Sequence, residues 1–268
     1  MTREFCGAAQ CELLNPPITG APMDTSHTTA GRRSSLTSKP GLIGQRVSNK
    51  RAWLLALVAF MSLAAIGVFI DLAEDVETVD HITVVDLQWA NWLHAHAAPA
   101  LTQVMLVVSR LHDMLSMSVL TLLLAIFLKW RRERDWLLGL MLVVPGGILI
   151  NTLFKFVFAR ARPHFIDPIV TLTSYSFPSG HVAGSTLFYG FVAALLISRT
   201  SSLVRRAAIV IGALLMVTLV AASRMYLGAH FFSDVLAAFF ESLAWLGMCL
   251  IGIHLLRWRA AASLQGRR

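Results

Sequence analysis

Two histidines in the second half of the chain lie where an imidazole could do chemistry. His230 and Asp234 are four residues apart at the start of an apolar run, so a helix would place them on one face. A carboxylate beside an imidazole fixes its tautomer and raises its basicity, which makes the other ring nitrogen a better nucleophile or base. The pair therefore predicts a nucleophile, with a structural hydrogen bond as the alternative. His181 directly precedes a second apolar run.

The segment Pro178-Ser179-Gly180-His181 has the composition of a helix start. Ser179 can cap the following helix, and Gly180 permits a close approach to the backbone. The free N–H groups at such a helix start form an anion site, with His181 at its edge. Taken alone, the segment is also explained by a capped helix with an interfacial histidine.

Three basic residues could complete this anion site. Lys155 is followed after six residues by Arg162-Pro163, and Arg224 directly follows Ser223. Each one alone could be a basic side chain that reaches for the membrane interface. Together, three cations and backbone donors match a phosphate dianion, while two imidazoles match a nucleophile and a general acid.

The composition indicates that apolar helices must position these residues. Of the 268 residues, 56% are hydrophobic and only 14% are charged, and the mean hydropathy is +0.65. This predicts a membrane protein. The net charge is +8. In a membrane protein the excess Lys and Arg residues usually belong to cytoplasmic loops, so this charge does not indicate a nucleic-acid partner. The three cysteines include no CxxC pair, so neither a zinc site nor a disulfide framework is expected.

The hydropathy pattern predicts an all-α bundle with six transmembrane helices and one amphipathic interfacial helix. The spans are expected at 52–70, 114–128, 136–158, 182–197, 207–222 and 231–256. Before the second span, a Trp-rich face around Trp89 and Trp92 predicts the amphipathic helix, which ends near Pro99. Residues 100–111 form a further apolar helix, interpreted either as interfacial or as a span of its own.

The distribution of basic residues predicts the orientation. With six spans, the basic clusters 46–51, 129–134, 199–206 and 257–268 all fall on the cytoplasmic side, and the acidic stretch between residues 71 and 86 falls outside. The remaining basic residues of the membrane domain fall on the outer face, against that rule: Arg110, Lys155, Arg160, Arg162 and Arg224. Basic residues that break the positive-inside rule usually belong to a functional site.

The expected organisation has three parts. Residues 1–45 are a disordered cytoplasmic tail, in which Met23 is an alternative start. Residues 46–260 are the six-span domain, and residues 261–268 are a basic cytoplasmic tail. We therefore expect a multi-pass protein of the cell (inner) membrane, with both termini in the cytoplasm and the site on the outer, periplasmic face.

The three clusters together resemble the three-part signature of the type 2 phosphatidic acid phosphatase superfamily, the lipid phosphate phosphatases. The matching segments are Lys155-x6-Arg162-Pro163, Pro178-Ser179-Gly180-His181 and Ser223-Arg224-x5-His230-x3-Asp234. Every signature position is present with the family's spacings, and the resemblance covers about residues 50–257. The superfamily also includes soluble vanadium haloperoxidases and glucose-6-phosphatase, so a fold and a phosphate site are implied more firmly than a substrate.

The resemblance implies a mechanism. His230 would attack phosphorus to form a phosphohistidine, Asp234 would orient it, and His181 would protonate the leaving oxygen before water hydrolyses the intermediate. The phosphate oxygens would be held by Lys155, Arg162, Ser179, Gly180 and Arg224. No metal or other cofactor is expected, because cations and amides already neutralise the developing charge. A neutral His230 and a protonated His181 predict a bell-shaped dependence of rate on pH.

Several alternatives remain at this level. The substrate could be phosphatidate, phosphatidylglycerol phosphate, undecaprenyl pyrophosphate or a lipid A phosphate, and the oligomeric state is not predicted. A lipid phosphotransferase would use the same intermediate, and a non-catalytic lipid-phosphate binding or transport protein would use the same pocket.

Other polar residues near the clusters have local interpretations. Asn151 could contact Lys155 but more simply satisfies a neighbouring helix. Glu241 is either functional or part of a buried pair. Arg160 is interpreted as a loop charge in preference to a second-phosphate contact, and His164 as a solvated loop residue.

Overall fold

The computed structural model describes residues 42–78 and 81–265. This part of the chain forms α-helices and contains no strand, which confirms the all-α prediction. The helices are α1 (Leu42–Thr78), α2 (His81–Ala95), α3 (Pro99–Leu111), α4 (Met114–Trp130), α5 (Arg134–Phe158), α6 (Gly180–Ile197), α7 (Leu203–Tyr226) and α8 (Phe232–Gln265). The expected N-terminal tail lies outside the described residues up to position 41, and residues 42–45 already belong to α1. The expected C-terminal tail is helical as far as Gln265, and residues 266–268 lie outside the description.

Five helices of the described chain are long and apolar enough to cross a membrane: Ala52–Thr78, Arg134–Phe158, Gly180–Ile197, Leu203–Tyr226 and Phe232–Arg257. Helices α3 and α4 pass the same test as a pair, bent by 47° at a short break. The 17 residues of α4 reach about 25 Å at the standard helical rise, less than the roughly 30 Å of a hydrocarbon core. The predicted six spans are therefore matched when the bent α3–α4 pair counts as one.

The acidic stretch after the first span is helical. α1 continues to Thr78 and α2 begins at His81, because residues 71–78 contain neither proline nor glycine to end the helix. The change of polarity near residue 71 marks the end of the apolar surface and not the end of the helix. Asp86, expected in an acidic loop, lies inside α2 and is fully buried.

α2 has the predicted amphipathic character. Trp89 and Trp92 are about half exposed, whereas Asp86 and Ala90 are buried. An exposed face of this kind suits the interfacial region of a membrane, which favours tryptophan.

α6 lies at the centre of the bundle, packed against α5, α7 and α8, while α1 runs along α8. The loop between α5 and α6 is anchored to this core by Phe177, which is fully buried. The ring centroid of Phe177 lies 6.0 Å from that of Phe69 in α1 and 5.0 Å from that of Phe158 in α5. The segment that precedes α6 is therefore held in place by aromatic packing.

Candidate active site

The segment Pro178–His181 lies at the start of α6, as predicted, but Ser179 does not cap the helix. Ser179 occupies the N-cap position without a side-chain cap hydrogen bond, and its buried Oγ has no partner. Its N–H donates to the carbonyl of Asp234 at 3.1 Å, which ties this segment to α8. The first N–H groups of α6, including that of Gly180, have no acceptor within the helix. A free hydroxyl and free N–H groups thus lie together at one end of the bundle.

Arg162 connects the α5–α6 loop to the nucleophile candidate. Its Nε donates to the carbonyl of Ser174 at 2.7 Å, its Nη1 donates to the carbonyl of Ala229, and the same Nη1 lies 3.2 Å from Nε2 of His230. Burial lowers the pKa of Arg162, and the charge of Asp234 opposes that effect. Because a guanidinium has only N–H donors, Nε2 of His230 must accept, and the ring proton belongs on Nδ1.

His230 and Asp234 share a face, as their spacing predicted. Both are buried, and Nδ1 of His230 lies 3.5 Å from Oδ2 of Asp234. This separation is longer than a well-formed hydrogen bond. The same Oδ2 accepts the N–H of Phe231 at 2.9 Å and the hydroxyl of Ser176. The position of Oδ2 of Asp234 is therefore set mainly by its hydrogen bonds to Phe231 and Ser176, and only weakly by His230.

The pKa of His230 reflects burial more than its carboxylate partner. Burial lowers the pKa of His230 to about 3, although Asp234 opposes this shift. The expectation that Asp234 makes His230 more basic than free imidazole is thus outweighed by desolvation. The ring is neutral at physiological pH, as a nucleophile requires.

The other two predicted cations are held inside the protein at the same end of the bundle. Lys155 donates from Nζ to the carbonyls of Pro178 at 2.5 Å and Tyr175 at 3.1 Å. Arg224 is buried, donates from Nη1 to Oγ of Ser109 in α3, and has no partner for its buried Nε. Both side chains donate to groups of the protein itself, which the snorkelling interpretation does not explain.

His181 lies among the same charged groups. It is partly buried and within electrostatic range of Arg224, His230 and Asp113. The structure thus brings together all eight predicted site residues: Lys155, Arg162, Ser179, Gly180, His181, Arg224, His230 and Asp234. They come from the ends of α5 and α7, the starts of α6 and α8, and the loops that precede α6 and α8.

A cavity of about 400 Å³ opens beside this cluster. Its wall is formed by the loop residues 160–165, 168 and 170–175 together with Gly228 and Ala229, and it includes Arg162. Within the described residues, no group of three or more His, Cys, Asp or Glu side chains could hold a metal ion. Cations and N–H donors at the site suit an anion instead.

Arg160 corrects one sequence-based interpretation. Its guanidinium is not a solvated loop charge, because Nη1 lies 2.6 Å from Oδ1 of Asp234 and Nη2 lies 2.8 Å from Oδ2 of Asp86. The side chain of Asn151 in α5 donates a hydrogen bond to the carboxylate of Glu241 in α8 at 3.0 Å. This agrees with the interpretation of Asn151 as a contact to a neighbouring helix and of Glu241 as part of a buried pair. His164 is exposed, which agrees with a solvated loop residue.

Three contributors were not foreseen from the sequence: Asp86, Ser109 and Ser176. Asp86 carried a signal, since it is four residues before Ala90 and shares a face of α2 with it. An acid on the buried face of an amphipathic helix needs a partner. Ser109 and Ser176 had no such signal, because serine is common on helices and in loops alike.

Comparison with known proteins agrees with the fold, and the matched segment contains the candidate site. A sequence model of the PAP2 superfamily matches residues 136–258, which contain all eight predicted site residues. Phosphatidylglycerophosphatase B of Bacillus subtilis (strain 168) is 38% identical over 111 residues, which is 41% of this chain and 54% of the relative. The match thus spans about half of the relative's length.

A solved structure extends the similarity to the wider fold. The crystal structure of a transmembrane PAP2 type phosphatidylglycerolphosphate phosphatase from Bacillus subtilis superposes with a TM-score of 0.65 and 28% identity. The superposition covers 71% of this chain and 94% of the solved one. Residues 136–258, which hold the candidate site, thus match the PAP2 superfamily, and the helical fold around them is similar to that of a solved PAP2 type phosphatase.

Proposed function

We propose that this protein is an integral membrane phosphatase that hydrolyses a lipid phosphate or pyrophosphate monoester, without a metal ion, through a phosphohistidine on His230. One observation carries the proposal. Around a neutral His230, the buried Oγ of Ser179 and Nε of Arg224 have no partner. Buried polar atoms are normally hydrogen-bonded, so these two donors fit the oxygens of a phosphate group.

The proposed reaction has two steps. The Nε2 lone pair of His230 attacks phosphorus, the bond to the lipid oxygen breaks, and His181 gives its proton to that oxygen. Water then attacks the phosphohistidine as His181 accepts a proton from it, and the P–N bond breaks to return the lone pair to Nε2. Asp234 stabilises the proton on Nδ1 of His230 throughout.

The basic residues and the N-terminus of α6 would stabilise the transition state. Lys155, Arg162 and Arg224 supply positive charge, and Ser179 and Gly180 supply O–H and N–H donors. In the structure, Lys155 and Arg162 donate hydrogen bonds to backbone carbonyls of the α5–α6 loop. A bound phosphate would compete with these carbonyls for the same donors.

Phosphatidylglycerol phosphate heads the proposed substrates, because the Bacillus subtilis relative and the solved Bacillus subtilis structure are both named as phosphatases of it. Phosphatidate, undecaprenyl pyrophosphate and a lipid A phosphate fit the same chemistry. The bundle exposes large apolar side chains along its helices. A lipid could therefore keep its tail in the bilayer while its phosphate reaches the site at the end of the helices.

We further propose that residues 46–260 form the catalytic domain, in the cell (inner) membrane, with both termini in the cytoplasm and the site on the outer face. The distribution of basic clusters supports this orientation.

The decisive experiment is a lipid phosphate panel read by mass spectrometry, with purified wild type compared with His230→Ala in the presence of EDTA. We expect wild type to release phosphate from at least one lipid and the variant to lose about a hundredfold or more, the loss that removal of a nucleophile causes. His254→Ala is the matched control, since that residue lies near the other end of α8, and it should retain activity.

Undiminished release by His230→Ala would overturn the mechanism, and a strict need for added metal would overturn metal independence. A labelled lipid that passes its phosphate to another lipid instead of water would identify a phosphotransferase. Tight binding of lipid phosphate without any release would identify a binding protein.

A further inference from the structure

A buried network of charges joins α2 to the His230–Asp234 pair. Arg160 lies between two carboxylates, with Nη1 2.6 Å from Asp234 and Nη2 2.8 Å from Asp86. Both carboxylates are fully buried. Asp86 also accepts the N–H of Ser233 at 2.9 Å as well as its hydroxyl, and that hydroxyl contacts Nη1 of Arg160 at 2.7 Å. The network therefore fixes both the guanidinium and the first turn of α8.

The same helix contacts the site loop at a second point. His94 of α2 stacks on Phe165, with ring centroids 4.1 Å apart. Phe165 in turn packs on Gly228, whose φ of +65° and closeness to that ring leave no room for a side chain. Gly228 is two residues before His230. α2 thus braces both the loop that carries Arg162 and the turn that carries the nucleophile candidate.

The geometry of Asp234 depends on this network. Its Oδ1 is held by Arg160, and its Oδ2 accepts from Ser176 and Phe231 while facing Nδ1 of His230 at 3.5 Å. Arg160 is itself oriented by Asp86, which takes the other arm of the guanidinium. If Asp86 lost its charge, Asp234 alone would compensate the arginine and would be drawn toward it.

We infer that Asp86 and Arg160 are positioning residues for the proposed phosphatase, acting through Asp234 to align His230 for attack on phosphorus. This inference rests on the proposed function. Neither side chain is among the groups expected to hold the phosphate, and Asp86 lies outside residues 136–258, which match the superfamily. Their contribution should therefore appear in the rate of the chemical step and not in substrate binding.

The test measures kcat, KM and phosphoenzyme formation by rapid quench with a ³²P-labelled lipid phosphate that wild type hydrolyses. We expect kcat to fall about tenfold in Asp86→Asn and about a hundredfold in Arg160→Gln, because a misplacement of about 1 Å at a reacting group costs this much. KM should stay within about threefold, since the phosphate-binding residues are retained. The double variant should lose about as much as Arg160→Gln alone, because the two residues act in series.

Single turnovers with enzyme in excess separate positioning from folding, since their rate constant reports alignment in the folded molecules and does not depend on how many molecules are folded. We expect this rate constant to be lower in both variants than in wild type. Arg160→Lys should recover part of the rate by retaining the charge. Glu133→Gln is the matched control, because it removes a carboxylate from an ion pair with Arg199 at the opposite end of the bundle, and it should behave as wild type.

The inference is overturned if an active wild type is matched by Asp86→Asn and Arg160→Gln in the rate of phosphoenzyme formation. It is also overturned if the variants yield less folded protein at an unchanged single-turnover rate constant, which indicates a purely structural role, or if KM rises while kcat is retained, which indicates a phosphate contact. A wild type that releases no phosphate from any lipid would instead reject the proposed function, and this inference with it.

Discussion

At the scale of single residues, desolvation sets the state of His230. The carboxylate of Asp234 favours the imidazolium, but complete burial disfavours it more strongly, so the pKa of His230 falls to about 3. The neighbouring Arg162 donates toward Nε2 and assigns the ring proton to Nδ1. The nucleophile candidate is thus held neutral and in one tautomer before any substrate binds.

This state predicts how activity depends on pH. A lowered pKa means that protonation of His230 is resisted until the pH approaches about 3, so the ring stays neutral from pH 5 to 8. The acid limb of the expected bell, which comes from protonation of His230, therefore moves below this range. The profile of kcat/KM, corrected for ionisation of the lipid phosphate, should therefore show no acid limb from the enzyme above pH 5.

NMR of protein labelled with ¹⁵N-histidine tests the same point directly, and the spectrum of His230→Ala assigns the signal. We expect the shifts of a neutral ring at pH 5. A midpoint between pH 6 and 7 for this residue would contradict the prediction.

At the scale of elements, the site depends on how closely α5, α6 and α8 approach one another. Gly147 lies two helical turns before Lys155 on α5, where a Cβ would meet both methyl groups of Leu187, at 2.5 and 2.7 Å, and Trp245 at 3.0 Å. Because the added Cβ would clash with both methyl groups of the buried Leu187, a small movement of one atom could not relieve the overlap. Gly147 therefore allows the close packing that places Lys155 beside α6.

Gly147→Ala should destabilise the protein by about 1–3 kcal/mol, the usual cost of overpacking a tight contact. Gly212→Ala is the matched control, because no atom lies within 4 Å of a Cβ at that position in α7. There alanine should be neutral or stabilising, by up to about 1 kcal/mol. Chemical unfolding in detergent micelles measures both variants, and equal stability of the two would contradict the argument.

At the scale of the whole molecule, the site residues gather at one end of the helical bundle. The end of α5, the start of α6, the end of α7 and the start of α8 meet there. The Arg199–Glu133 ion pair, between the α6–α7 and α4–α5 connections, marks the opposite end. The proposed orientation puts the first end outside the cell membrane and the second in the cytoplasm.

Cysteine labelling in intact cells tests this orientation. In a background with Cys6, Cys11 and Cys249 replaced by serine, His164→Cys places a thiol in the exposed loop at the site end, and Arg205→Cys places one in the exposed first turn of α7. A membrane-impermeant maleimide should label the first thiol in intact cells and the second only after permeabilisation. The reverse pattern would invert the proposed topology.

Much of the site was predictable because its residues are local in sequence. The four-residue spacing of His230 and Asp234 brings them together at the start of α8, and the segment around Ser179 and Gly180 indicates a helix start by composition alone. Hydropathy located the long apolar helices for the same reason, since both periodicity and length are local properties. The short α3 and the bend before α4 were harder to interpret, because a 13-residue helix fits either a surface or part of a span.

Only the tertiary structure decided which charged side chains form ion pairs and how deeply each one is buried. Arg160 and Asp86 are 74 residues apart, and nothing local to either one indicates that they form an ion pair beside Asp234. The free hydroxyl of Ser179 and the lowered pKa of His230 likewise depend on burial by distant helices. Sequence spacing therefore determined the candidate chemistry, whereas desolvation and long-range pairing, which arise only when the helices pack, decided the ionisation and alignment of its residues.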